Sequence, residues 1–213
     1  MRVTKRDELI LQEIDRWRAC GGRHIRFLAG FSGQRATDRR LRILMDAEYI
    51  ERKKYLYGVP GIYFLTTKGK SLIQATARPE KVKVEQIVHD MTVLDTAIYF
   101  MHKQKLTLDD ITTEKQLHQQ DGFGVRKHRP DFVFQKDDET NCVEVELTLK
   151  AKNRLLNIIK DNFMEYDVQN WIVPESQSRI RQILVDSQRY YTNLEIISLK
   201  EVTDYVHGLS KPE

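Results

Sequence analysis

A chain of 213 residues and 25.2 kDa has room for one large domain or two small ones, each able to bury a core, which excludes a peptide or toxin-like scaffold. With 40% hydrophobic residues, 31% charged residues and no apolar run near the ~20 residues of a membrane span, the composition describes a soluble globular protein and excludes membrane insertion. The net charge of +4 is unevenly spread: residues 1–80 hold 17 Lys and Arg against 9 Asp and Glu, a net of +8, and the remainder 18 against 22, a net of −4.

The opening residues enter a charged amphipathic pattern with no apolar export segment, so a cytoplasmic protein is expected. Leu9, Ile10, Ile14 and Trp17 recur at helical spacing over residues 7–18, and a short second helix over 24–30 points Ile25 and Leu28 inward. A turn at Phe31-Ser32-Gly33 leads into a third helix, Gln34 to Asp46. Here Leu41, Leu44 and Met45 form the buried face, and Arg35, Arg39, Arg40 and Arg42 project elsewhere. Tyr49 to Arg52 and Ile62 to Leu65 are strand-like and flank a run rich in turn residues, so they read as a hairpin. A basic surface attracts duplex DNA by releasing counterions from phosphates, although charge alone does not separate nucleic acid from an anionic membrane. The two cysteines, Cys20 and Cys142, lie outside any Cys-x-x-Cys pattern and read as reduced core residues.

A link at residues 75–80 separates this half from a long amphipathic helix over 84–101, with Val84, Ile87, Val88, Met91, Leu94, Ile98 and Met101 on one face and Glu85 and His89 on the other. Strands follow near 109–113, 130–136 and 141–149, then a helix over 151–168, a strand at Trp171-Ile172-Val173, a helix near 176–188, a strand at 194–199 and a final helix. That order predicts a mixed sheet flanked by helices. In the strand Cys142 to Lys150, side-chain alternation puts Val143, Val145, Leu147 and Leu149 on the core face and Glu144, Glu146, Thr148 and Lys150 on the other. With Asp131 on a neighbouring strand, three carboxylates would share one surface with a lysine, a donor set suited to Mg²⁺ or Mn²⁺. The alternative is an edge strand whose charged face is merely solvated.

Residues 4–76 resemble a winged helix-turn-helix domain, in element order and in the segments Asp46 to Arg52 and Tyr63 to Gly69, where the second wing strand runs into a capped helix. The resemblance implies that the third helix enters the major groove, with Gln34, Arg35, Thr37, Arg39 and Arg40 facing DNA and Lys53 and Lys54 near the wing. Pro130-Asp131 and Glu144 resemble the Pro-Asp, Asp/Glu-x-Lys signature of the restriction-endonuclease-like nucleases. Glu146 stands where that family usually has lysine, so Lys150 or Lys152 would have to supply the amine. Taken together with His89-x-x-x-Val93 and Glu-x-Glu-x-x-x-Lys, nearly the whole chain resembles the replication-relaxation family and the related MOBC-type relaxases.

The fold class this implies is α+β: a winged helix-turn-helix over residues 1–78, then a restriction-endonuclease-like α/β domain with a mixed sheet over 79–213. The implied function is metal-dependent nicking of DNA at a plasmid or mobile-element transfer or replication origin, a step of plasmid mobilisation by conjugation. Asp131, Glu144 and Glu146 would be the metal ligands, and Asp131, Glu144, Glu146 and Lys150 the catalytic set. Water or a tyrosine, among them Tyr166, Tyr190 and Tyr191, would be the nucleophile. Expected partners are double-stranded DNA, other relaxosome or conjugation proteins and a second copy of the chain. The rival readings are a non-enzymatic relaxosome accessory protein or repressor with an inactive nuclease-like domain, and a type II restriction enzyme.

Overall fold

The computed structural model describes residues 2–55, 60–75, 83–121, 124, 127–149 and 151–209. The protein is a mixed α and β chain that divides into two compact units at Leu94 and Asp95. The division falls within a helix, whereas the link near residue 78 lies largely outside the described residues.

The first unit begins with α1 (Lys5–Arg16), β1 (Cys20–Gly21), α2 (Gly22–Leu28) and α3 (Gln34–Asp46). Then come β2 (Ile50–Lys53), β3 (Ile62–Leu65) and α4 (Thr67–Leu72). The strands form an antiparallel sheet in the order β1-β3-β2, in which Ile50 pairs with Leu65 and Cys20 with Tyr63. Ile10, Leu11 and Ile14 of α1, Ile25 of α2 and Leu41 and Leu44 of α3 are buried together in its core. The expected cap of α4 is present: the Thr66 hydroxyl accepts the Gly69 N–H at 3.0 Å. Gly69 is glycine for a steric reason, since a Cβ there would lie 2.1 Å from the Tyr49 carbonyl oxygen. β1 was not legible in the sequence because two residues carry no period.

α5 (Val84–Gln104) supplies Ile87 and Met91 to a cluster with Ala19, Ile62 and Phe64 in the first unit. Val84 and Val88, expected on the buried face, are about half exposed, because only the Ile87 and Met91 edge meets the sheet.

The second unit, residues 95–209, contains the rest of α5, a short 3-10 turn at Leu108–Asp110, β4 (Ile111–Thr113), α6 (Glu114–Asp121), β5 (Phe132–Lys136) and β6 (Glu139–Val145). It continues through α7 (Lys152–Glu165), β7 (Val168–Val173), α8 (Ser178–Ser187), β8 (Leu194–Ser198) and α9 (Leu199–Leu209). The five strands form one sheet in chain order. β4, β5 and β6 are antiparallel neighbours, and β6, β7 and β8 are parallel. The parallel steps run through α7 and α8, which bury Leu155, Ile159, Ile180 and Leu184 against Trp171 and Val173. On β5, Phe132 and Phe134 meet the ring of Phe100.

β6 ends at Val145 rather than near residue 149. Its partner β7 ends at Val173, and the Glu146 N–H to Ile172 carbonyl bond of 3.0 Å is the last rung. Cys142 to Val145 are all buried, so the last four residues of the strand have no solvated face, as expected where helices cover both sides of a sheet. α6 went unseen because Leu117 is its one buried residue, too little for a helical period. Each unit holds one cysteine, Cys20 in the first and Cys142 in the second. Both are fully buried free thiols whose proton affinity burial raises.

Candidate functional site

The site residues expected from the sequence fall into two sets, one in each unit. In the first unit, the core positions of α3 are Thr37, Leu41 and Leu44, at steps of four and three. That spacing places Arg35, Arg39 and Arg42 on the opposite, exposed side, where they form a basic stripe. Thr37, expected to face DNA, is instead fully buried, and its hydroxyl donates to the Gly33 carbonyl at 3.1 Å.

Arg40 also differs from expectation. Its guanidinium makes a two-pronged ion pair with Asp7 of α1, which is fully buried, so Arg40 fastens two helices together. Burial by itself would raise the Asp7 carboxyl, but hydrogen bonds from Arg40 and Thr4 outweigh it and hold the group below its ordinary value. Asp7 lies on the apolar face of Ile10, Leu11 and Ile14, and an acid at such a position requires a paired cation or hydrogen-bond donors. That was the overlooked sequence signal. Gln34 is exposed and donates to Asp38 at 2.8 Å, and Lys53 and Lys54 are exposed on and after β2, with Lys53 beside Glu51. Arg35, Arg39, Phe31, Ala36, Arg40 and Ile43 line an open hollow of about 430 Å³ along α3.

In the second unit, Asp131 sits one residue before β5 and brackets Glu144. Its N–H donates to the Val143 carbonyl at 3.1 Å, and its Oδ2 accepts the Val145 N–H at 2.7 Å. Asp131 therefore grips the main chain of β6 on both sides of Glu144. The Glu144 side chain is buried, and its Oε1 takes two further contacts, His128 Nε2 at 2.7 Å and Asn162 Nδ2 of α7 at 3.0 Å. Burial would lower the His128 imidazole, but the Glu144 contact and the charges of Glu144 and Asp131 prevail over it and over Arg154, leaving it raised. His128 and Asn162 were not foreseen. His128 precedes Asp131 by three residues in the cationic run Lys127-His128-Arg129, whose neighbours pair elsewhere, Lys127 with Glu165 and Arg129 with Asp121 and Glu165.

Asp131 and Glu144 are thus brought together, as the sequence pattern implied. Glu146 is half-buried just beyond the end of β6, and Lys150 lies outside the described residues. Among the described residues, no three His, Cys, Asp or Glu side chains converge closely enough to hold a metal ion, so the expected trio is represented by a pair. Asp131, one residue before β5, and Glu144 on β6 offer two carboxylates, the donor type that suits a hard cation such as Mg²⁺, which keeps several of its own waters.

Lys152 is exposed in the first turn of α7. His89, beside Asp90 at 3.5 Å, and the exposed Glu85 lie on the part of α5 that belongs to the first unit. Of the tyrosines, Tyr190 is exposed, and Tyr191 stacks edge-on with Phe163 at 5.2 Å. The Tyr166 phenol is buried and pushed up to about 12 by that burial and by the charge of Glu165, which opposes its action as a phenolate near neutral pH. No helix of the described residues is long and apolar enough to cross a membrane. No protein-family model matches the chain, and no curated protein or solved structure matches it.

Proposed function

We propose that this chain is a DNA-processing enzyme. Its first unit is a winged helix-turn-helix that selects a duplex site, and its second is a restriction-endonuclease-like domain that nicks one strand, as a relaxase does at a transfer or replication origin. The observation that carries the reading is the position of Asp131 and Glu144. They lie where β5 and β6 adjoin, at the point where the sheet changes from antiparallel to parallel pairing. The basic stripe of Arg35, Arg39 and Arg42 supports the DNA-binding half.

The Asp131 and Glu144 carboxylates would hold a divalent cation, which would supply Lewis-acid polarisation of the scissile phosphate. The chain's own residues set the geometry: His128 and Asn162 fix the orientation of Glu144, and the two main-chain bonds of Asp131 hold it beside that carboxylate.

The test is incubation of the full chain with supercoiled plasmid bearing its own origin, with and without Mn²⁺ or Mg²⁺. Metal-dependent conversion to open circles that Asp131→Asn abolishes is the expected result. A second reading, a non-enzymatic accessory protein or repressor, is favoured by two observations: Glu144 already has partners in His128 and Asn162, and Glu146 occupies the usual lysine position. Site-specific duplex binding without nicking under any metal condition selects that reading.

A further inference from the structure

Between the first turns of α3 and the β2–β3 hairpin lies a second cleft, of about 410 Å³, distinct in its lining from the hollow along the arginine stripe. It falls within the ~300–1,000 Å³ typical of small-molecule sites. Its lining joins two chemistries. Arg23, whose Nε donates to His24 Nε2 at 3.2 Å, and Arg52 bring guanidinium groups beside the carboxylate of Asp38, which already accepts a hydrogen bond from Gln34. Tyr63 and Met91 supply an aromatic and a soft apolar surface.

Arg52 is placed there by the backbone opposite. Its guanidinium carbon lies 5.8 Å from the centre of the Tyr63 ring, and its stem runs over Gly61, where a Cβ would come 2.3 Å from Arg52 Nε and 2.8 Å from Cγ. Glycine at position 61 is thus a condition for the pose of Arg52. A planar guanidinium recognises phosphate oxygens by paired hydrogen bonds, and a neighbouring aromatic and thioether surface suits the face of a flat ring.

We propose that this cleft binds one nucleotide unit, with its phosphate on Arg52 and its base toward Tyr63 and Met91. The unit comes either from a DNA strand held by the first unit, a source that rests on the DNA-binding reading above, or from a free nucleotide, a source that does not. In both cases Gln34 and Asp38 at the start of α3 are part of the wall, so occupancy of the cleft bears directly on the helix that carries the arginine stripe.

The test uses the full chain in three forms, wild type, Arg52→Ala and Gly61→Ala, with thermal melting to confirm that each is folded. Isothermal titration with dAMP and with dTMP probes the free source. Anisotropy titration with a single-stranded and a duplex oligonucleotide probes the strand source. The expected result is that at least one probe binds and loses about tenfold or more in affinity in both variants, as for removal of one charge-assisted contact. Gly61→Ala is the sharper variant, since it keeps the charge of Arg52 and only displaces it. A Mononucleotide bound in an Arg52-dependent way assigns the cleft to a free ligand, even if the chain binds no duplex. Equal affinity of all three forms for every probe, or no binding of any probe by the wild type, overturns the proposal. Duplex binding that is sensitive to Arg39→Ala yet indifferent to Arg52 and Gly61, with neither mononucleotide nor single strand bound in an Arg52-dependent way, overturns it while leaving the DNA-binding reading intact.

Discussion

Arg40 on α3 closes over Asp7 on α1 with both of its prongs, so the third helix of the first unit is fastened to the first by a carboxylate with no exposure to solvent. Removing Arg40 leaves the buried Asp7 carboxylate with Thr4 alone, at a cost of about 1–3 kcal/mol. Arg40→Ala is therefore expected to lower the melting temperature markedly and to weaken DNA binding only through lost structure. Arg39→Ala, on the exposed stripe, is expected to weaken duplex binding and reduce its salt dependence while melting like the wild type. Thermal melting paired with duplex titration at two salt concentrations separates the two; similar melting temperatures for both variants would show that the ion pair does not hold the helices.

The same pair sets a response to acid. A carboxyl held below its ordinary value in the folded state contributes stability that is complete above the unfolded value of about 4 and is lost as pH falls through the folded value. Unfolding of the wild type should thus become easier below about pH 4 by more than that of Asp7→Asn. Denaturant titrations between pH 7 and pH 3 measure the difference, and parallel curves would remove Asp7 from the account.

For the carboxylate pair, Asp131→Asn and Glu144→Gln are each expected to reduce plasmid nicking at least about tenfold. Their structural costs should differ in kind. Glu144 accepts from both His128 and Asn162, so Glu144→Ala strands the buried Asn162 amide and the half-buried His128 at about 1–3 kcal/mol, and Glu144→Gln is the fairer probe of chemistry. Nicking by Glu144→Gln at the wild-type rate would move any metal site elsewhere.

At α4, Thr66→Ala removes the cap on the Gly69 N–H and should cost about 1 kcal/mol. Gly69→Ala should cost more, about 2 kcal/mol or above, because its new carbon meets the Tyr49 carbonyl oxygen, which cannot withdraw without disturbing its own bond from the Thr66 N–H. Melting curves of the two variants rank the effects, and a milder Gly69→Ala would mean that the Tyr49 segment yields easily.

The elements legible in the sequence were those with a period long enough to count. The apolar steps of α1, α3 and α7 and the hairpin-like strands β2 and β3 are visible as spacing alone, and the capped helix after β3 came from the winged-helix resemblance. Pairing of Asp131 with the Glu144 region was legible because strand alternation and a short turn leave few other registers. What escaped notice depends on contacts between distant residues. Thr37 follows the spacing of Leu41 and Leu44 but is polar, Arg40 looks like its exposed neighbours until Asp7 is found beneath it, and His128 and Asn162 reach Glu144 from 16 and 18 residues away. Hydropathy period reports which face is apolar and carries no information about which polar side chains will meet.

The two sealed cysteines make the chain its own reporter. A thiol that is buried and holds its proton tightly does not react with an alkylating reagent until the surrounding structure opens. Because Cys20 belongs to one unit and Cys142 to the other, the two labelling rates read the opening of each unit separately within the intact chain. Mass spectrometry of the labelled peptides would then tell whether the arginine-striped and carboxylate-bearing units unfold as one cooperative body or as two, and which of them an added oligonucleotide or metal ion protects.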